Sequence, residues 1–253
     1  MNRRIPIIGF ILLALVSCAA NEPIGKKWDV NKRADVSAQL AVSYMQRNQL
    51  EVAREELEHA LEIVPDHSAA NHAMAALQER LGNYKNAEIH YVRALRSDAE
   101  NSQAAHDYAT FLCRRGRVQD AILQYEKALS NPLYRQPEMS NLRAGECLMF
   151  HDNISAAEPY FKKALRINPR LSSALYHMAN INYLRKNYFS ARGFIERHFA
   201  IVAKTPKSLL LAYKIETKLR APKVAEQYAS LLRSEFASSR EAKELEKLLR
   251  NQK

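Results

Sequence analysis

Residues 75–100 read AALQERLGNYKNAEIHYVRALRSDAE. In the second half, Ala87, Tyr91, Ala94 and Leu95 stand four, three and one apart, the spacing of one buried helical face. A helical pattern also leads up to Leu81. Between the two lies Gly82-Asn83, residue types that accept a left-handed turn. The stretch therefore predicts a helix, a tight turn and a second helix. Two others follow the same plan: AVSYMQRNQLEVAREELEHALEIVPD at 41–66 and TFLCRRGRVQDAILQYEKALSNP at 110–132. Ala60-Leu61, Ala94-Leu95, Ala128-Leu129 and Ala164-Leu165 recur at steps of 34, 34 and 36 residues. Ala53, Ala87, Ala121 and Ala157 keep that rhythm, as do Leu57, Tyr91, Tyr125 and Phe161. Pro65 and Pro169 close two of the units.

Small residues at fixed points let paired helices approach closely, and the large residue four positions later fills the space between hairpins. A helix–turn–helix of this period resembles the tetratricopeptide repeat. The expected fold is all-α: a right-handed superhelical tetratricopeptide-repeat solenoid of about six helix-turn-helix units plus a C-terminal capping helix. The units are placed at 34–67, 68–101, 102–137, 138–171, 172–205 and 206–239. The third carries a two-residue insertion between Pro132 and Pro137. The sixth is degenerate, keeping Leu209, Ala212, Ile215, Ala225 and Leu232, with Pro222 opening its second helix. His198 stands where the pattern wants alanine, which puts the packing of unit five on unit six in question. Residues 240–253 place Ala242, Leu245, Leu248 and Leu249 on one stripe of a charged helix, as a solenoid end requires.

The first seventeen residues follow a different logic. A basic head, Arg3-Arg4, precedes an apolar run from Ile5 to Val16 that is too short to span a bilayer, which takes roughly 20 residues. This is the plan of a secretory signal peptide. The run ends in Leu15-Val16-Ser17-Cys18, which resembles the lipobox of bacterial lipoproteins. That resemblance implies cleavage of 1–17, acylation of Cys18 and, with Ala19 rather than Asp next, sorting to the outer membrane. An ordinary signal peptide cut after Ala19 or Ala20 is the alternative. Residues 18–33 are expected to be a flexible lipid-anchored tether. The chain carries a formal charge of +11, but lysine and arginine are interleaved with acids along apparent helix faces. A nucleic-acid partner is therefore not expected.

No HExxH, Gly-x-Ser-x-Gly, phosphate-loop or CxxC pattern is present. No enzyme activity, cofactor or metal is expected. His72 and His106 fall at equivalent points of units two and three. With Cys18 set aside, Cys113 and Cys147 remain, late in the first helices of adjacent units. Side-by-side packing of those helices allows a disulfide; two buried free thiols are the alternative. Function must then come from a surface. By resemblance, the first helices line the concave groove, where Ala38 and Val42 replace the Lys and Asn of the carboxylate clamp in chaperone-binding members. In units four and five the groove positions include Leu142, Met149, Phe150, Tyr176 and Tyr183, with Met139 and Leu184 beside them. This cluster is expected either to bind a partner segment or to pack inward.

The lipobox, the short tether, six units, the Asn-Pro-Leu-Tyr insertion and the run Lys-Ser-Leu-Leu-Leu-Ala-Tyr-Lys at 207–214 together resemble the PilF/PilW family of type IV pilus biogenesis and stability lipoproteins. The resemblance implies an outer-membrane lipoprotein facing the periplasm, held to the membrane by its lipid. Its expected partner is the type IV pilus secretin or another pilus-assembly component, and its expected role is secretin multimer assembly or fibre stability. A lipoprotein scaffold of another envelope assembly machine is the alternative. A periplasmic enzyme subunit is disfavoured, because no segment is long enough for a catalytic domain.

Overall fold

The computed structural model describes residues 25–250. The expected signal peptide and Cys18 lie outside them. Among the described residues the chain forms thirteen α-helices and no strand. They pair as α1 (Gly25–Gln46) with α2 (Leu50–Ile63), α3 (Ser68–Arg80) with α4 (Tyr84–Ser97), and α5 (Ser102–Arg114) with α6 (Val118–Ser130). Then follow α7 (Pro137–Phe150) with α8 (Ile154–Ile167), α9 (Ser172–Leu184) with α10 (Tyr188–Phe199), and α11 (Pro206–Lys218) with α12 (Pro222–Glu235). The last helix, α13 (Arg240–Arg250), packs on α11 and α12. Six hairpins and a terminal helix thus form the solenoid, each hairpin meeting the next.

The expected tether is helical from Gly25 onward, so α1 begins well before Ala34. No Gly or Pro interrupts Lys26 to Gln46. Ala34, Ala38, Ala41 and Met45 are buried in one cluster with α2 and α3, which anchors the helix in the core.

The core repeats with the sequence. Leu57, Tyr91, Tyr125, Phe161 and Ile195 occupy equivalent places and are all buried to within 1 %. Each sits among the alanines of its own and the next hairpin. In α7 the small residue is Gly145, where a Cβ would lie 2.7 Å from the Phe161 ring. Unit six reverses this arrangement: bulky Tyr213 takes the place of that small residue, and Ala229 takes the place of Phe161. Both lie in one buried cluster. The unit is degenerate in identity while keeping its volume.

A left-handed residue recurs at every hairpin turn: Asn48, Gly82, Gly116, Asp152, Lys186 and Arg220, with φ of 61°, 79°, 77°, 59°, 62° and 56°. Glycine adopts this geometry freely, and asparagine and aspartate tolerate it. Lys186 and Arg220 adopt it against their preference.

The joint between units five and six is intact despite His198. That side chain is buried, and its Nδ1 donates to the Ser172 carbonyl at 2.9 Å. Ala191, Ile195, Leu211, Ala212 and Ile215 close the seam. Buried Glu216 accepts from Arg192 Nε at 2.8 Å, which neutralises the one carboxylate in it. A capping box, Thr205 with Ser208, followed by Pro206, starts α11 after the longer connection.

Candidate functional site

The first helices α3, α5 and α7 wall a trough that crosses three hairpins. It consists of two hollows of about 590 Å³ each, which share Asp107, Thr110 and Arg114. Its floor is aromatic and buried, with Tyr91 and Tyr125 rising from the second helices α4 and α6. Tyr91 donates to Glu79 Oε2 at 3.2 Å, and Tyr125 lies 2.9 Å from Thr110 Oγ1. Burial pushes the Tyr125 phenol up to about 12 and raises that of Tyr91 as well. Both remain protonated donors at neutral pH.

The rim is a ladder of polar links running from one unit to the next. His72 Nε2 meets Asp107 Oδ2 at 2.7 Å, His106 Nδ1 meets Ser140 Oγ at 2.7 Å, and Arg114 Nη1 donates to Glu79 at 2.9 Å. Arg80 reaches back to the Met45 carbonyl at 2.6 Å and to Asn48 Oδ1 at 2.7 Å. Glu146 accepts from Arg143 at 2.8 Å and meets His177 at 3.2 Å. Burial alone would raise the Asp107 carboxyl, but the His72 hydrogen bond and charge outweigh it and hold the group below its usual range. The same balance, with His177 and Arg143 as partners, lowers Glu146. Burial lowers His106, against the pull of Asp107.

Every carboxylate in the trough is therefore already engaged by a cation or a histidine. Among the described residues no three His, Cys, Asp or Glu side chains converge as metal ligands. Within the same residues no helix is long and apolar enough to cross a membrane.

Cys113 and Cys147 lie in the trough wall, with Cα atoms 5.9 Å apart and sulfurs 2.07 Å apart, joining α5 to α7. The staple spans the joint where the connection 131–136 carries two extra residues compared with 98–101.

The expected cluster of Leu142, Met149, Phe150, Tyr176 and Tyr183 does not form one surface. Leu142 is 3 % exposed and belongs to the core with Phe161 and Met178. It sits at the seam between neighbouring first helices, where an apolar side chain is drawn inward. Met149 packs partly against the same core. Phe150 is 81 % exposed at the trough's mouth. Tyr176 and Tyr183 instead line a separate hollow of about 360 Å³ between α9, α11 and α13. The inter-unit ladder was not anticipated from the sequence. Its signal is the constant offset of 35 residues from His72 to Asp107, Glu79 to Arg114 and Met45 to Arg80. Charge is also less evenly interleaved than expected: between Ile154 and Lys223 there are fourteen lysines and arginines and three acids.

The tetratricopeptide-repeat family model matches residues 34–67, 68–101 and 140–171. The type IV pilus assembly protein PilF of Pseudomonas aeruginosa is 26 % identical over 251 residues, covering 97 % of this chain and 99 % of that protein. The solved structure of Pseudomonas aeruginosa PilF superposes with a TM-score of 0.78 at 27 % identity, covering 86 % of this chain and 98 % of that one. PilW, described as a widely conserved type IV pilus biogenesis factor, superposes with a TM-score of 0.73 at 26 % identity, over 84 % and 97 % of the two chains.

Proposed function

We propose that this chain, similar to PilF over 97 % of its length, is a PilF/PilW-type tetratricopeptide-repeat protein and a non-enzymatic scaffold of type IV pilus biogenesis. In this reading it is an outer-membrane lipoprotein anchored through Cys18, with its repeats in the periplasm. It supports assembly or localisation of the secretin multimer, or stability of the fibre, by holding protein segments. The observation that carries the reading is the trough across units two to four. Its carboxylates Glu79, Asp107 and Glu146 are paired within the protein, while Phe150 stands 81 % exposed at its mouth. A surface with no reactive group and an unburied aromatic anchor is suited to binding a protein. A Cys113–Cys147 disulfide agrees with an oxidising compartment.

A deletion strain complemented with the intact gene tests this. Loss of surface pili together with loss of secretin multimers from the outer-membrane fraction is the expected result; normal pili in the deletion would remove the proposal. Cys18→Ala is expected to release the protein from membranes, and retention in the outer-membrane fraction would contradict anchoring by lipid.

A further inference from the structure

Phe150 is not an isolated exposed side chain. It is the last residue of α7, and the equivalent residues of the neighbouring first helices are Arg114, Leu184 and Lys218. These four end α5, α7, α9 and α11 in succession along one edge of the solenoid. Leu184 is 51 % exposed, and Phe189 just beyond the same turn is 77 % exposed. Arg114 is bonded to Glu79, yet its side chain remains 69 % exposed. Lys218 is exposed and enters no ion pair among the described residues. The edge therefore reads cation, aromatic, aliphatic, cation, one per hairpin.

The turns beside this edge carry a second observation. The left-handed position is glycine in units two and three but Lys186 and Arg220 in units five and six. A side chain in that region costs of order 1 kcal/mol, and such strain gathers where a side chain is needed for another purpose. Here it adds two cations beside Leu184 and Lys218.

We propose that this edge is a docking strip for a polyproline II segment of a protein partner, carrying two apolar residues flanked by acids at every third position. The first helices α5 and α7, and α9 and α11, pack against each other, and packed helices lie about 8–10 Å apart. A polyproline II helix turns once in three residues and rises about 9 Å in doing so, so it presents one side chain per hairpin on a single face. A β-strand would present residues three apart on opposite faces. The inner two side chains of the segment would cover Phe150 and Leu184, and the outer acids would meet Arg114 and Lys218. The inference rests on the protein-binding reading above and specifies the chemistry of the partner.

The test uses the purified full-length chain in detergent and a fluorescent ten-residue probe, Glu-Pro-Ala-Leu-Pro-Ala-Phe-Pro-Ala-Glu. Saturable anisotropy change is expected. It should weaken about tenfold or more in the Phe150→Ser, Leu184→Ser double variant, and should weaken with added salt and in Lys218→Glu. Both apolar positions are exposed, so helix content should stay at the wild-type value. A peptide of the same composition with Leu and Phe adjacent should bind no better than the double variant sees the original probe. No saturable binding, equal binding of the rearranged peptide, or indifference to the double substitution would each overturn the strip. So would sedimentation of the wild type, but not the double variant, with phosphatidylglycerol and phosphatidylethanolamine vesicles, which would make this a lipid-facing edge. Piliation of the deletion strain is independent of all these outcomes, so failure of the strip and failure of the pilus reading are separable.

Discussion

Units three and five are built on the same hairpin and show different chemistry on it. At the left-handed turn one has Gly116 and the other Lys186; at the end of the first helix one has Arg114 and the other Leu184. Inside, Tyr125 and Ile195 fill the same place and are equally buried. The contrast teaches that the fold constrains volume at the inner positions and leaves the edge free to vary. Units four and six make the point for the core itself. Gly145 under Phe161 and Tyr213 near Ala229 are two solutions to one packing problem.

The sharpest way to break the comparison is to disturb that volume. Phe161→Ala should cost about 3–5 kcal/mol of stability, because nothing nearby can collapse onto the space. Placing phenylalanine at the equivalent Ala229, where Tyr213 already fills the cluster, should cost about 1–3 kcal/mol by overpacking. Denaturant unfolding followed by circular dichroism measures both; equal tolerance at the two sites would mean the units do not share one packing scheme.

Next in size is the staple between units three and four. Cys113→Ser with Cys147→Ser should remove about 2–4 kcal/mol, felt at the joint with the longer connection. Non-reducing peptide mass spectrometry of the native protein should recover the linked pair, and two freely alkylatable thiols would refute it.

The turns come third. Lys186→Gly should stabilise the protein by about 1 kcal/mol, whereas Gly116→Lys should destabilise it by a similar amount, since the backbone region is the same. A loss of stability in Lys186→Gly would show that the lysine side chain has a structural partner and would weaken its assignment to the docking edge.

The smallest effect is on pH dependence. His106, faced by Asp107, Ser140, Tyr125 and Arg143, and His90, beside Asn71 and Arg93, are both lowered chiefly by burial from an ordinary 6.5. A histidine lowered in the folded state contributes stability that is fully present above 6.5 and is lost as pH falls below it, because the unfolded chain takes up the proton first. Thermal stability should therefore drop between neutral pH and pH 5. Replacing His106 by Gln should make that drop shallower, and an unchanged slope would place the sensitivity elsewhere.

Much of this molecule was legible in the residues. The step of 34, the alanines at 53, 87, 121 and 157 and the large residues four later all mark buried places in hairpins. Contacts within a hairpin are local, so a one-dimensional pattern records them. The site was less legible. Leu142 and Phe150 both sit on α7 at nominally groove-facing positions, yet one is core and the other is exposed. Which of the two faces a seam depends on the rotation of α7 relative to α5 and α9, and no local spacing encodes that rotation. The same holds for Tyr176 and Tyr183, which the superhelix carries toward α13 and away from Phe150.

By itself, then, the sequence determined the helical hairpins, their number and order, and the volumes each must bury. It did so because helix periodicity and turn chemistry are short-range properties of the chain. Only the tertiary structure decided which side chains meet across units: His72 with Asp107, Arg114 with Glu79, and His106 with Ser140. Those meetings depend on the angle at which one hairpin stacks on the next, which is set by the sum of many packing contacts and by no single residue.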